Sequence, residues 1–176
     1  MVVIAIVMVV AAAAAPAIGA AFRERKTSTA ALDVVRAFRN ARSAAAGYGR
    51  AYMVRYVQTN DHDRGDLQVF RGMTNRCNGG VFSGTHVQGM GYSALTHATD
   101  FPIELRLVPT EQATLELCYE PTGQTYWRTT APRFSTESFN GASAFRFSVT
   151  RRVGGAVEGV VRYVVVPLGG DARISR

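Results

Sequence analysis

The chain has 176 residues, of which 47% are hydrophobic, and carries a formal net charge of +7. That length accommodates one globular unit with an appended segment and excludes two independent cores. With only two cysteines, Cys77 and Cys118, a multi-cysteine metal site is excluded and a single disulfide remains open.

The charge is unevenly placed. Residues 1–60 hold eight basic and two acidic groups, residues 61–127 four and eight, and residues 128–176 eight and three. The chain is therefore basic at both ends and acidic between. Basic ends attract anionic lipid or nucleic acid, or simply form a solvated surface.

From Met1 to Phe22 no side chain is charged. About 20 apolar residues suffice to cross a bilayer, so the run predicts a membrane anchor. A cleaved secretory signal and a buried core helix compete with it. A signal normally has a basic region ahead of its apolar stretch, whereas here Arg23, Arg25 and Lys26 follow it. The second half is rich in alanine and contains Pro16, which removes a helical hydrogen bond. Small residues of this kind suit close helix packing.

Helical spacing continues beyond Phe22. Ala31, Val34, Val35, Phe38, Ala41 and Ala45 recur at intervals of three or four, opposite Asp33, Arg36, Asn40 and Ser43. The pattern predicts one helix from Met1 to about Ala46, closed by Gly47 and Gly49. Val34, Val35, Phe38 and Ala41 are the residues expected to fasten it to the rest of the domain. Such a helix is roughly 70 Å long, more than a small core can bury.

After Gly49 the pattern turns to strands, expected at 51–58, 67–71, 103–108, 113–119, 125–129, 144–150 and 157–166. Residues 72–100 are glycine-rich and read as a long loop or short strands. The expected organisation is an assembly half of the helix (1–22), an amphipathic half (23–48) and a β-rich head (49–176), an α+β fold overall. In 113–120, Cys118 alternates onto the more polar face.

Few residues suggest chemistry. His62 lies in the oxygen-rich stretch Asn60-Asp61-His62-Asp63-Arg64-Gly65-Asp66, but Gly65 stands where a calcium loop needs another oxygen ligand. His86 and His97 occur singly. No nucleophile elbow, phosphate-binding loop or dinucleotide fingerprint is present, so neither catalysis nor a cofactor is expected.

Val2 to Ile6, the hydrophobics that follow, the alanine stretch and Pro16 resemble the helix of pilin-like proteins just after its processing motif. Phe38-Arg39-Asn40-Ala41-Arg42-Ser43-Ala44-Ala45 is similar to the pattern that closes that helix in the GspH/FimT-type family of minor pseudopilins and minor pilins. Tyr119-Glu120-Pro121-Thr122-Gly123 and the ending from Gly169 to Arg176 are similar to its turn and terminal motifs.

The resemblance implies a structural subunit of a type II secretion pseudopilus, single-pass in the bacterial inner membrane with its head in the periplasm. Its partners would be other pilin-like subunits. Val2, Val3, Ile4, Ile6, Val7, Val9, Val10 and Pro16 would form the membrane and assembly face. Family members carry a basic leader ending in Gly-Phe-Thr-Leu-Ile-Glu, absent from this sequence, which implies either residues upstream of Met1, with a prepilin peptidase as a further partner, or a subunit that has lost processing. The alternatives are a type IV pilus minor pilin that binds DNA through Arg173 and Arg176, and a secreted binding protein with a cleaved signal.

Overall fold

The computed structural model describes residues 2–58, 65–93, 103–108, 114–129, 131–137, 141, 143–153 and 156–175; within the helix, side chains are described at 19, 21, 22 and 24–48. The single helix α1 (Val2–Tyr48) is followed by β1 (Tyr52–Gln58), β2 (Gly65–Arg71), β3 (Ile103–Val108), β4 (Thr114–Tyr119), β5 (Thr125–Arg128), β6 (Ala144–Val153), β7 (Ala156–Pro167) and β8 (Arg173–Ser175). Gly49 ends the helix at φ 64°, a left-handed conformation that a residue with a Cβ adopts only under strain.

The strands form two antiparallel four-stranded sheets, ordered β2-β1-β4-β5 and β3-β6-β7-β8. Strand pattern rather than helix dominates the molecule, so the expected α+β class is corrected to a mostly β fold with one helix.

The expected membrane-spanning, pilin-like helix is corrected as well. No helix among the described residues is long and apolar enough to cross a membrane. The physical reason lies in the side chains from Glu24 to Tyr48. Glu24, Arg25, Lys26, Asp33, Arg36 and Arg39 place a charge on almost every turn, which makes this segment an amphipathic packing helix. Single-pass inner-membrane localisation therefore does not stand. Val2, Val3, Ile4, Ile6, Val7, Val9, Val10 and Pro16 lie outside the described side chains.

One face of α1 supplies the floor of the main core. Ala30, Ala31, Val34, Val35, Phe38, Ala41 and Ala45 are buried with Val54, Leu67 and Leu117 of the first sheet and Leu105, Phe147, Val164 and Val166 of the second. Alanines recur on this face, so the helix axis can approach the strands closely. Phe38 fills the remaining space, its ring centroid 5.4 Å from that of Phe147, which in turn meets Tyr56 at 5.5 Å. The Tyr56 hydroxyl donates to the Leu105 carbonyl oxygen at 3.0 Å and ties the two sheets where β1 faces β3.

Polar contacts fix the helix from outside. Arg162 on β7 bonds Glu24 at 2.7 Å, Arg39 donates to the Ala172 carbonyl at 3.0 Å, and Arg42 lies 3.6 Å from Asp171. Each involves an exposed or half-exposed group and adds at most about 1 kcal/mol. Their value is in orientation.

The hairpin of β6 and β7 is irregular. Val149 pairs with Arg162 and Arg151 with Glu158, so β7 carries extra residues opposite one β6 position, with Gly159 at φ 86° inside the bulge. The bulge bends a strand whose first five residues, Ala156–Val160, are all exposed. An edge bent this way is a poor template for continuous pairing.

Replacing Phe38 by alanine should cost about 3–5 kcal/mol, because the surrounding sheets cannot close on the cavity. Chemical denaturation should show the lowered midpoint, and an unchanged midpoint would remove Phe38 from the centre of the core.

Candidate functional site

Buried polar and sulfur groups of the described head lie on the outer faces of both sheets, and the first sheet carries the disulfide. β4 alternates Leu115, Leu117 and Tyr119 into the main core, while Cys118 points the opposite way. The opposite side is also covered: Cys118 is fully buried with Ala51, Met53, Phe70, Cys77 and Phe134 in a second, smaller core. Cys118 thus lies on the face that alternation gave it, with Glu116, and that face is buried. Residues 72–82 and 131–137 fold over that face and hide it.

Cys77 and Cys118 are joined by a disulfide, with their Cα atoms 5.9 Å apart. The bond pins the 72–82 segment to the centre of the sheet. Asn78 reinforces it by donating to the Phe134 carbonyl at 3.1 Å and accepting from the Phe134 amide at 2.8 Å. The Cys77 amide donates to Glu120 at 2.9 Å. A cross-link separated by 41 residues removes about 4 kcal/mol of freedom from the unfolded chain.

Two carboxylates organise the cations of the sheets. Glu116, nearly buried, sits between Arg55, at 2.6 Å, and Arg128. Arg55 also lies over Phe70 and Arg128 over Phe134, at 4.7 and 4.2 Å from the ring centroids. On the second sheet Glu104 is buried against Arg106 and Arg152, the latter at 2.7 Å. Both are structural hubs, since a buried carboxylate without such partners would be strongly disfavoured. Sequence reading passed over both glutamates; the alternation of β3 and β4 put them on the outer face, but nothing local shows which cations gather there.

This use of arginine bears on nucleic-acid contact. Arg151 pairs with Glu158, Arg152 with Glu104 and Arg162 with Glu24, and Arg146 stacks over Tyr163 at 3.7 Å. The C-terminal basic residues are thus largely committed to contacts within the fold. Arg173 is exposed on β8, and Arg176 lies outside the described residues. His62 and His97 also lie outside them, and His86 is exposed beside the end of α1. No group of three or more metal-ligating side chains occurs among the described residues.

The packing residues converge. Val34, Val35, Phe38 and Ala41, expected to fasten the helix, are buried together in the main core. Compared with known proteins, the chain matches no family model, no curated protein and no solved structure.

Burial pushes the Tyr92 hydroxyl well above the usual phenol range, with Asp33 and Asp66 adding to the effect. Burial does the same to Tyr119, opposed by Arg42 and helped by Asp171. A group whose folded pKa is raised contributes stability that is complete below its unfolded pKa and lost as pH rises through the folded value. Denaturation midpoints should hold up to about pH 10 and fall above it, with a shallower fall in Tyr119→Phe. An unchanged slope in that variant would discount the Tyr119 contribution.

Reduction of the disulfide should lower stability by up to about 4 kcal/mol. Denaturation with and without a thiol reductant measures the difference, and coincident curves would show that the bond only decorates a self-sufficient core.

Proposed function

We propose that this chain is a structural assembly subunit of the pseudopilin type, working through α1 rather than through catalysis. The observation that supports the reading is the division of labour along the helix. Among the described side chains, those buried against the head run from Thr27 to Ala45, while the helix itself runs from Val2. The backbone is helical on the N-terminal side of that stretch as well.

The residues in that continuation, Val2, Val3, Ile4, Ile6, Val7, Val9 and Val10, are all apolar. Helices of this composition associate through close side-chain packing, and small residues such as Ala11–Ala15 let axes approach. Equivalent helices of other pilin-like subunits would supply the matching surface. Within the subunit, Val34 and Phe38 transmit load from helix to head, and the disulfide keeps the head's outer layer closed. Both suit a part that must bear force in a filament. Processing by a prepilin peptidase belongs to the same proposal.

The test substitutes Ile6→Asp and Val9→Asp in the full chain, produced together with candidate pilin-like subunits. Co-purification should be lost while the unfolding free energy of the head stays within about 0.5 kcal/mol of the parent. Undiminished co-purification would overturn assembly through this part of the helix.

A further inference from the structure

An open cleft of about 650 Å³ lies at the C-terminal end of α1, bordered by Tyr48, Arg50, Tyr52, Arg71, His86 and Met90 among others. It is far in sequence from the C-terminal arginines and plays no part in the assembly reading.

Its construction is specific. Tyr52 and Arg71 face each other across β1 and β2, and Tyr48 sets its ring 6.3 Å from that of Tyr52, tilted by 31°. The far wall is held in place by the backbone: the Ser83 amide donates to the Arg71 carbonyl at 2.9 Å, and the Val87 amide donates to the Val69 carbonyl at 2.7 Å. The Ser83 hydroxyl closes the turn by donating to the Thr85 carbonyl at 2.7 Å. The wall therefore exists before any ligand arrives.

Its charge is one-sided. No carboxylate lines it. Arg55, Arg106, Arg128, Arg151, Arg152 and Arg162 are all paired with glutamates. Arg50 and Arg71 have no ion-pair partner among the described residues, and both are exposed. Two uncommitted guanidinium forks beside two tyrosine rings form a receptor for an anion joined to an apolar body.

We propose that this cleft binds an acidic peptide segment of a partner protein, with carboxylates on the two arginines and an apolar or aromatic side chain against Tyr48 and Tyr52. Magnitude decides between this occupant and a nucleic acid. Each phosphate neutralised on a single strand contributes a salt exponent of about 0.7, so two cations give a weak, barely steered interaction with a polyanion. A short acidic peptide needs no long charged track: two carboxylates occupy the two guanidinium forks, and an apolar side chain between them gains ring contact with the tyrosines.

The experiment uses the full chain, isotope-labelled, titrated with the peptide acetyl-Gly-Glu-Phe-Glu-Gly-amide and read by amide chemical shifts. Saturable shifts are expected around Tyr48–Tyr52, Arg71 and Ser83–Met90. The peptide with both Glu replaced by Gln should bind about tenfold more weakly, and so should the chain carrying Arg50→Gln and Arg71→Gln, a loss matching ~1.4 kcal/mol. Arg50→Gln alone, outside every strand, should weaken binding about threefold, half the double effect on a logarithmic scale, and keeps the test decisive if the double variant does not fold. Arg133→Gln, exposed elsewhere, should leave binding unchanged. The proposal is overturned if the Gln peptide binds equally, if Arg50→Gln leaves affinity intact, if no shifts arise at millimolar peptide, or if oligothymidylate binds the same residues more tightly than the peptide.

Discussion

The packing of one helix face into the angle between two sheets governs this structure. Phe38 reaches Phe147 on the second sheet, Phe147 reaches Tyr56 on the first, and Tyr56 bonds back across to Leu105. Each sheet alone would present an apolar face to water. The helix covers both at once, and the alanines around Phe38 let it sit low enough to do so. The sheets also meet directly, Tyr56 against Phe147 and Trp127 against Phe145, and the helix seals the core that these contacts begin.

The head also has a second layer with a different logic. Its small outer core is closed by a covalent bond, by the paired hydrogen bonds of Asn78, and by Arg55 and Arg128 gripping one glutamate between aromatic rings. A cluster of six buried side chains contributes limited hydrophobic stabilisation, so the cross-link carries a proportionately larger share there. The main core depends on shape, the outer one on connectivity.

Much of the strand layout was readable from sequence because alternation is a local signal. The stretches around Tyr52–Gln58, Ile103–Val108 and Thr114–Tyr119 alternate or run apolar over the lengths they adopt. β8, three residues of Arg173, Ile174 and Ser175, is too short to carry a period, and it exists only because β7 offers an edge. The face of Cys118 was readable for the same reason, but its burial was not. Alternation tells which residues share a face, but not that residues 131–137, a separate part of the chain, return to cover the supposedly polar one. The apolar run of the helix misled on class and localisation, since composition at one end says little about a fold whose bulk is sheet. Glu104 and Glu116 looked like ordinary outward charges, and the cleft beside Tyr48 could not be foreseen, because it joins a helix end to a loop through tertiary contact.

Closing the core with the first element has a cost in time. The stripe of Val34 and Phe38 is synthesised early, yet the residues it rests on, Phe147, Val164 and Val166, arrive more than a hundred positions later, and the Arg39 contact with Ala172 spans 133. Until then the stripe is an apolar surface without a cover. Folding dominated by such distant partners is slow, and it leaves a newly made chain open to wrong associations through the very face that later organises it. Loss of a few residues at the far end would therefore be felt first at the beginning, where the helix would lose the strand that holds it down.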